Sequence, residues 1–156
     1  MTFENIVNKL KDMNKYISTM ESCTGGAVAS SITDIPGASD ILKFSAVTYS
    51  NEYKIKMGVD SELIDKYSVY SEEVACNMAY TISNYTNSNY GIGVTGKLNR
   101  ADSRNLYGKD NIVFVCIYDK DNDKYYSYNI EAIKGSRREN KILVIDSIIE
   151  KLEDIL

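Results

Sequence analysis

The sequence predicts an α/β fold: a single-domain layered sandwich over residues 1–156, with a mixed, mostly parallel sheet flanked by helices. Segments with the 3.6-residue period of helices alternate along the chain with short strand-like runs. Two such runs around a polar turn near the C-terminus predict a hairpin, which makes the sheet mixed. The chain has 156 residues, 44% hydrophobic and 26% charged, which is typical of one globular domain.

The first half of the chain alternates helix and strand. Apolar residues at helical spacing after Thr2, a candidate N-cap, predict a helix that ends near Met13. Pro36, the only proline, marks a turn after the second helix. Asn51 is expected to cap the third helix. The elements predicted after the first helix are a strand at 16–20, a small-residue helix at 27–32, a strand at 43–49 and a short helix at 51–57.

The second half supplies the rest of the sheet. Ser71 is expected to open a helix whose pattern breaks at 84–89, and a long polar loop follows the next strand. The last helix is predicted from about Arg137, with one broad apolar face formed by Ile142, Val144, Ile145, Ile148, Ile149 and Leu152. The other predicted elements are a helix at 61–67, a glycine-rich buried strand at 90–96, the loop at 97–110 and hairpin strands at 112–118 and 125–130.

Charge and composition argue against several classes of protein. The net charge is -4 and the isoelectric point is near 4.9, so no nucleic-acid partner is expected, although a local pocket for one phosphate is compatible. We see no secretion signal and no apolar run near the ~20 residues that cross a bilayer, which predicts a cytoplasmic protein without a membrane partner. The 3 cysteines are widely spaced, which favours neither a disulfide framework nor a zinc site.

The chain has no histidine, which restricts the chemistry available to it. Catalysis by Ser-His-Asp or Cys-His is excluded within this chain, as are histidine-based metal sites. Proton transfer near neutral pH must then use a carboxylate, a lysine with a lowered pKa, a tyrosine or the α-amine.

The motif ESCTGG carries the first candidate nucleophile, Ser22, at a strand-to-helix turn. Backbone N–H groups of Thr24, Gly25 and Gly26 at the helix N-terminus are suited to hold an oxyanion or a phosphate. In the alternative interpretation Ser22 or Thr24 merely caps the helix. Cys23 is a second candidate nucleophile, but neighbouring side chains usually point apart, and we interpret it as a small buried residue.

A second cluster, YSNEYK, contains Lys54. Taken alone, Lys54 is most simply interpreted as an ordinary solvated lysine. In a chain without histidine it becomes the leading candidate for a base, because a lysine with a lowered pKa can deprotonate a serine hydroxyl.

Together these blocks resemble a known family. The stretch MESCTGGAVASSITDIPGASDILKFSAVTYSNEYKIKMGV is similar, block by block and in order, to the signature of the CinA C-terminal domain, also called the nicotinamide-nucleotide amidohydrolase family. The likeness continues through SEEVA at 71–75, VTG at 94–96 and GSR at 135–137, so it covers essentially the whole chain.

The resemblance implies hydrolysis of the carboxamide of nicotinamide mononucleotide to the acid and ammonia, without metal or cofactor. It implies a Ser22–Lys54 dyad in which Thr95 hydrogen-bonds one member. The substrate contacts that it implies, besides Thr24, Gly25 and Gly26, are Tyr49, Asn51, Gly96 and Arg137, with Lys141 assisting. Arg137 is suited to a phosphate by its geometry and permanent charge. The implied partners are a small nucleotide amide and a second copy of the chain in a homodimer.

The sequence departs from the family at two places. Where the family has TGIAGP and a glycine cluster, this chain has TGKLNRADSRN, a charged loop over 97–105, and Ser45-Ala46 replaces Gly-Gly before VTYS. The loop is interpreted either as a solvated segment or as a remodelled ligand site. A different amide substrate is therefore one alternative. The other is an inactive relative that binds a nucleotide-like ligand or a protein partner.

Overall fold

The computed structural model describes residues 1–100 and 108–156 and contains one mixed five-stranded sheet. Its strand order is β2-β1-β3-β4-β5. Strand β1 is parallel to β2 and to β3, whereas β3–β4 and β4–β5 are antiparallel pairs. The strands are β1 (Ile17–Glu21), β2 (Ser45–Val47), β3 (Tyr90–Gly96), β4 (Ile112–Asp119) and β5 (Lys124–Glu131). The predicted α/β fold with a mixed sheet is confirmed.

Helices cover both faces of this sheet. Helices α1, α2 and α6 pack together over a core that includes Ile92 and Val94 of β3, and α5 packs on the opposite face. The described helices are α1 (Glu4–Asp12), α2 (Ala27–Thr33), α3 (Asn51–Lys56), α4 (Ser61–Tyr67), α5 (Glu72–Thr86) and α6 (Arg137–Ile155), with a 3-10 turn at Ala38–Asp40. Among the described residues, no helix combines the length and the apolar character that crossing a membrane requires.

Helix α5 lies unusually close to the sheet because β3 presents glycines to it. A Cβ added at Gly93 would lie 2.1 Å from the carbonyl oxygen of Ala75, and one at Gly91 would lie 2.1 Å from that of Ala79. Both distances are far below any real contact, so only glycine allows the helix backbone to rest on the strand. The glycine-rich pattern of β3 therefore serves helix packing.

Several predicted boundaries and caps shift by a residue or more. Phe3 precedes α1 in place of Thr2, whose hydroxyl accepts only a 3.4 Å contact from the Glu4 N–H. Ser50, one residue before Asn51, caps α3 by accepting from the N–H of Tyr53. Helix α5 continues to Thr86, through the predicted break, and Ile142 is 50% exposed rather than part of the buried face of α6.

Candidate active site

The candidate site lies where the chain leaves the carboxyl end of β1. Ser22 follows the last residue of that strand, and its N–H donates to the carbonyl of Val94 on β3. Lys54 projects from α3, a short helix reached directly after β2. Because the carboxyl ends of parallel strands share one edge of a sheet, residues 32 positions apart in sequence come together there.

Ser22 and Lys54 are in hydrogen-bond contact. The Nζ of Lys54 lies 2.9 Å from the Oγ of Ser22 and 2.7 Å from the carbonyl oxygen of Thr48. Lys54 is 1% exposed and Ser22 is 8% exposed. A lysine this deeply buried departs from the ordinary solvated residue that its helix position alone would suggest.

Burial sets the proton affinity of both reactive groups beside Ser22. Removal from water lowers the pKa of Lys54 to about 8, because the charged ammonium is the form that burial disfavours. Burial raises the pKa of the Cys23 thiol to about 12, and the positive charge of Lys54 only partly opposes this. At neutral pH Lys54 therefore has a reactive neutral fraction, whereas Cys23 stays a protonated thiol.

A buried carboxylate fixes the turn that carries Ser22. Glu21 is fully buried and accepts hydrogen bonds from the hydroxyl of Thr24 at 2.7 Å and from the N–H groups of Val28 and Ala29, both at 2.9 Å. The hydroxyl of Thr19 adds a contact at 3.2 Å. The carboxylate thus caps α2, whose N-terminal dipole favours negative charge, and holds both ends of the turn.

The backbone amides of the turn are only partly free. The N–H of Gly25 donates to the carbonyl of Ser22 at 3.0 Å, so in this conformation it is not available to an oxyanion. The N–H of Thr24 has no hydrogen-bond acceptor within the described part of the chain, whereas that of Cys23 interacts with the thiol of its own side chain. Cys23 also contributes to the cavity wall, which makes its amide the better-placed donor beside Ser22.

A cavity of about 680 Å³ opens over Ser22 and Lys54. Its size is within the range of small-ligand sites. Among the described side chains that line it, four are cationic, namely Lys54, Lys97, Arg100 and Arg137, and one is a carboxylate, Glu52. The remaining described residues of the wall are Cys23, Tyr49, Ser50, Asn51, Val69, Tyr70, Gly96 and Leu98. A positively charged cavity in a chain of net charge -4 favours a small anion.

Most of the predicted site residues meet in this cavity. Tyr49, Asn51, Gly96 and Arg137 all line it, and Arg137 Nη2 lies 3.5 Å from the Oη of Tyr49. The lining residues do not include Thr24, Gly25 or Gly26. The Nζ of Lys141 lies beside that turn, 3.4 Å from where a Gly25 Cβ would be.

Thr95 differs from its expected role. Its hydroxyl donates to the carbonyl of Val69 at 2.9 Å, and Thr95 is fully buried. The hydroxyl therefore donates to neither Ser22 nor Lys54, the partners that the resemblance implies. The loop before α5 supplies the acceptor, because it places the carbonyl of Val69 within hydrogen-bond distance of Thr95. Through Val69, Thr95 supports a residue of the cavity wall.

The beginning of the charged loop is not a solvated surface. Lys97 and Leu98 are 4% and 2% exposed, and both line the cavity. The Lys97 ammonium lies 4.9 Å from the centre of the Tyr70 ring and 3.5 Å from an oxygen of Asp110. These contacts favour the interpretation of a remodelled wall for this part of the loop. The predictions for residues 101–105 lie outside the described residues.

Sequence reasoning missed Glu21, Tyr70 and Leu98. Glu21 is part of the quoted motif, but its partners Val28 and Ala29 lie beyond the three-residue reach of ordinary caps. Tyr70 belongs to none of the sequence motifs, and its place in the cavity wall results from tertiary packing. No metal-binding group of three or more histidine, cysteine or acidic residues occurs in the ranges 1–100 and 108–156.

The chain is similar in sequence to a known family and to several of its members. A family model described as CinA C-terminal domain matches residues 2–156. A CinA-like protein of Fervidobacterium nodosum is 44% identical over 94 residues, which is 59% of this chain and 23% of that protein. A CinA-like protein of Desulforapulum autotrophicum is 43% identical over 98 residues, 62% of this chain and 23% of its own. The aligned part thus spans about a quarter of these curated relatives.

Solved structures share the fold along nearly the whole chain. The competence/damage inducible protein CihA of Agrobacterium tumefaciens superposes with a TM-score of 0.85 at 25% identity, covering 96% of this chain and 90% of that one. A competence-damaged protein (CinA) superfamily protein of Escherichia coli gives a TM-score of 0.84 at 23% identity over 99% and 91%. The second likeness, at lower identity, bears on the fold alone.

Proposed function

The chain belongs to the CinA C-terminal domain family, and from that premise we propose that it is an amidohydrolase acting on nicotinamide mononucleotide or a related carboxamide. The observation that carries the proposal is the buried Lys54 Nζ, 2.9 Å from the Ser22 Oγ. A lysine whose pKa is lowered to about 8 supplies the base that a chain with no histidine otherwise lacks.

The first chemical step would join Ser22 to the substrate. Neutral Lys54 accepts the hydroxyl proton as the Ser22 Oγ attacks the amide carbon, and a tetrahedral intermediate forms. The carbonyl of Thr48, which accepts from Lys54 at 2.7 Å, holds the ammonium that results. This second hydrogen bond fixes the orientation of the Lys54 ammonium. The proton that Lys54 has accepted can then return to the same substrate.

The second step would release ammonia. The N–H of Cys23 is the donor we assign to the oxyanion, because the Gly25 N–H is already used within the turn. As the intermediate collapses, the C–N bond breaks and Lys54 gives its proton to the departing nitrogen. Water, deprotonated by Lys54, then attacks the acyl-serine and frees the acid and Ser22.

The charges of the cavity support a phosphate-bearing substrate. Arg137 lies at the N-terminus of α6 and lines the cavity, as do Lys97 and Arg100. A guanidinium is well suited to a phosphate because it can donate two parallel hydrogen bonds. Tyr49 lies beside Arg137 and is 64% exposed, so it is free to contact a ribose or a ring.

Release of ammonia from nicotinamide mononucleotide tests the proposal. We expect turnover by the wild type with chelator present and its loss, by at least about a hundredfold, in Ser22→Ala and Lys54→Met. Lys56→Met is the matched control, because Lys56 is 57% exposed on the same helix and pairs with Glu52. As a second readout, kcat/KM should rise with pH up to about 8, where Lys54 becomes neutral. Full activity in Lys54→Met would refute the proposed dyad.

Binding without turnover is a second candidate function. It is favoured by the wall at Lys97 and Leu98, where the sequence departs from its family. Calorimetric titration of folded protein with nicotinamide mononucleotide distinguishes the two. Binding that Arg137→Met weakens, without ammonia release, would support this second function. If the protein neither binds nor hydrolyses nicotinamide mononucleotide, a different amide would have to be its substrate.

A further inference from the structure

Two cysteines outside the candidate active site lie side by side between α5 and β4. Cys116 is fully buried on β4 and is paired in the sheet with Gly93. Cys76 is half-buried in the first half of α5. Cys76 packs against the buried cluster that contains Cys116. Ser127 on β5 is the sheet neighbour of Cys116.

The close approach of helix and strand produces this contact. A Cβ at Gly93 would lie 2.1 Å from the carbonyl oxygen of Ala75, so the α5 backbone rests on the strand at that point. Ala75 precedes Cys76, and Gly93 is the sheet neighbour of Cys116. The two cysteines are therefore brought together by rigid, well-packed elements, and their proximity does not depend on a mobile loop.

The two sulfurs have different chemical environments. Interaction with Cys116 lowers the pKa of the Cys76 thiol, whereas interaction with Cys76 and burial raise the pKa of Cys116. Cys76 is also the more exposed of the two. An accessible thiol of lowered pKa beside a buried thiol is the arrangement of an attacking and a resolving cysteine.

We propose that Cys76 and Cys116 are an oxidative modification site, which low-molecular-weight disulfides convert into an intramolecular disulfide. Cys76 as thiolate attacks one sulfur of oxidised glutathione, which forms a mixed disulfide and releases one glutathione. Cys116 then gives up its proton and attacks the Cys76 sulfur, which expels the second glutathione. The protein loses two electrons and two protons, and oxidised glutathione gains both.

The disulfide would attach α5 to strand β4 of the sheet. Helix α5 begins at Ser71, whose hydroxyl caps it by accepting from the N–H of Val74, and Tyr70 just before it lines the cavity. The cross-link would restrict the unfolded chain over the segment from 76 to 116. A rise in the thermal unfolding midpoint on the order of 5 °C is expected.

The test is oxidation of the folded wild type by oxidised glutathione, followed by alkylation in denaturant and mass measurement. We expect one alkylated cysteine in place of three, and a cross-linked peptide joining 76 to 116. Cys116→Ser should stop at a glutathione adduct on Cys76, and Cys76→Ser should not react. Cys23→Ser is the control and should still form the disulfide. The unfolding midpoint should return to its starting value after dithiothreitol.

Three results would overturn the proposal. The first is alkylation of all three cysteines after oxidation of the folded wild type. The second is accumulation of a glutathione adduct on wild-type Cys76 without a disulfide. The third is a cross-link that includes Cys23. None of these readouts depends on amidase activity, so the inference stands or fails apart from the proposed function.

Discussion

Lys54 is a cation that the fold keeps almost entirely out of water. Its side chain is 1% exposed, and its hydrogen-bond partners are a hydroxyl and a carbonyl, neither of which carries a charge. A buried ammonium with no counter-ion among the described residues costs stability, which is why its pKa falls to about 8. The group that the proposed reaction requires is therefore one that the folded chain would be more stable without.

Replacing Lys54 by methionine should stabilise the protein at pH 7. The pKa falls from 10.5 to about 8 on folding, which corresponds to a cost of roughly 3 kcal/mol when Lys54 is charged in both states. Losing the hydrogen bond to Thr48 offsets part of this, so we expect a net gain of about 1–2 kcal/mol in urea unfolding.

Urea unfolding at higher pH tests whether folding lowers the pKa of Lys54. Between pH 8 and 10.5 the unfolded chain binds the Lys54 proton and the folded chain does not, so wild-type stability rises with pH in that interval. The advantage of Lys54→Met should therefore shrink at pH 10, whereas Lys56→Met, at an exposed lysine, should track the wild type. A stability gain of Lys54→Met that stays constant with pH would contradict the lowered pKa of Lys54.

Residues in contiguous motifs were predictable, and residues joined by tertiary contacts were not. Ser22 and Lys54 each lie in a recognisable block, and the sheet geometry explains their meeting. The partner of Thr95 is a carbonyl 26 positions away, which no local pattern encodes. Lys97 looked solvated because charge is usually exposed, but packing against Tyr70 buries it.

The elements were predicted where a periodic pattern was long. Helix α4 matches its predicted bounds, and α5 begins after Ser71 as expected. Strand β2 is much shorter than the predicted 43–49, since only Ser45–Val47 pairs with β1. A strand at the sheet edge has one neighbour, so its length is set by that neighbour and not by its own β-propensity.

The fit between α5 and β3 gives a prediction for Gly93→Ala. The added methyl would lie 2.1 Å from the carbonyl oxygen of Ala75 and 2.7 Å from the nitrogen of Ala79, both of them backbone atoms that cannot turn aside. We expect a loss of about 3 kcal/mol or more in urea unfolding. The matched control is Gly135→Ala, because nothing lies within 4 Å of its added Cβ. Equal stability of the two variants would mean that α5 can move away from the sheet at little cost.

The molecule combines an overall negative charge with a locally positive cavity. The net charge is -4, while Lys54, Lys97, Arg100 and Arg137 converge on one opening. The composition predicts the negative net charge of the chain. It cannot predict that these four cationic side chains meet at one cavity, because they come from three separate segments. Such a distribution suits one small anion and does not suit a long polyanion, which the overall negative charge of the chain would repel.

This distribution predicts that duplex DNA does not bind, although some relatives have names that refer to competence and damage. Non-specific DNA binding requires several cationic side chains spread along the backbone, and it reaches dissociation constants of roughly 10⁻⁴–10⁻⁶ M. We expect no change in the fluorescence anisotropy of a labelled duplex up to roughly 100 µM protein, the weak end of that range. Arg137→Met is the control, because any affinity that came from the cavity would fall with it. Binding that weakens steeply with salt and persists in Arg137→Met would require a basic surface outside the cavity and would contradict the prediction.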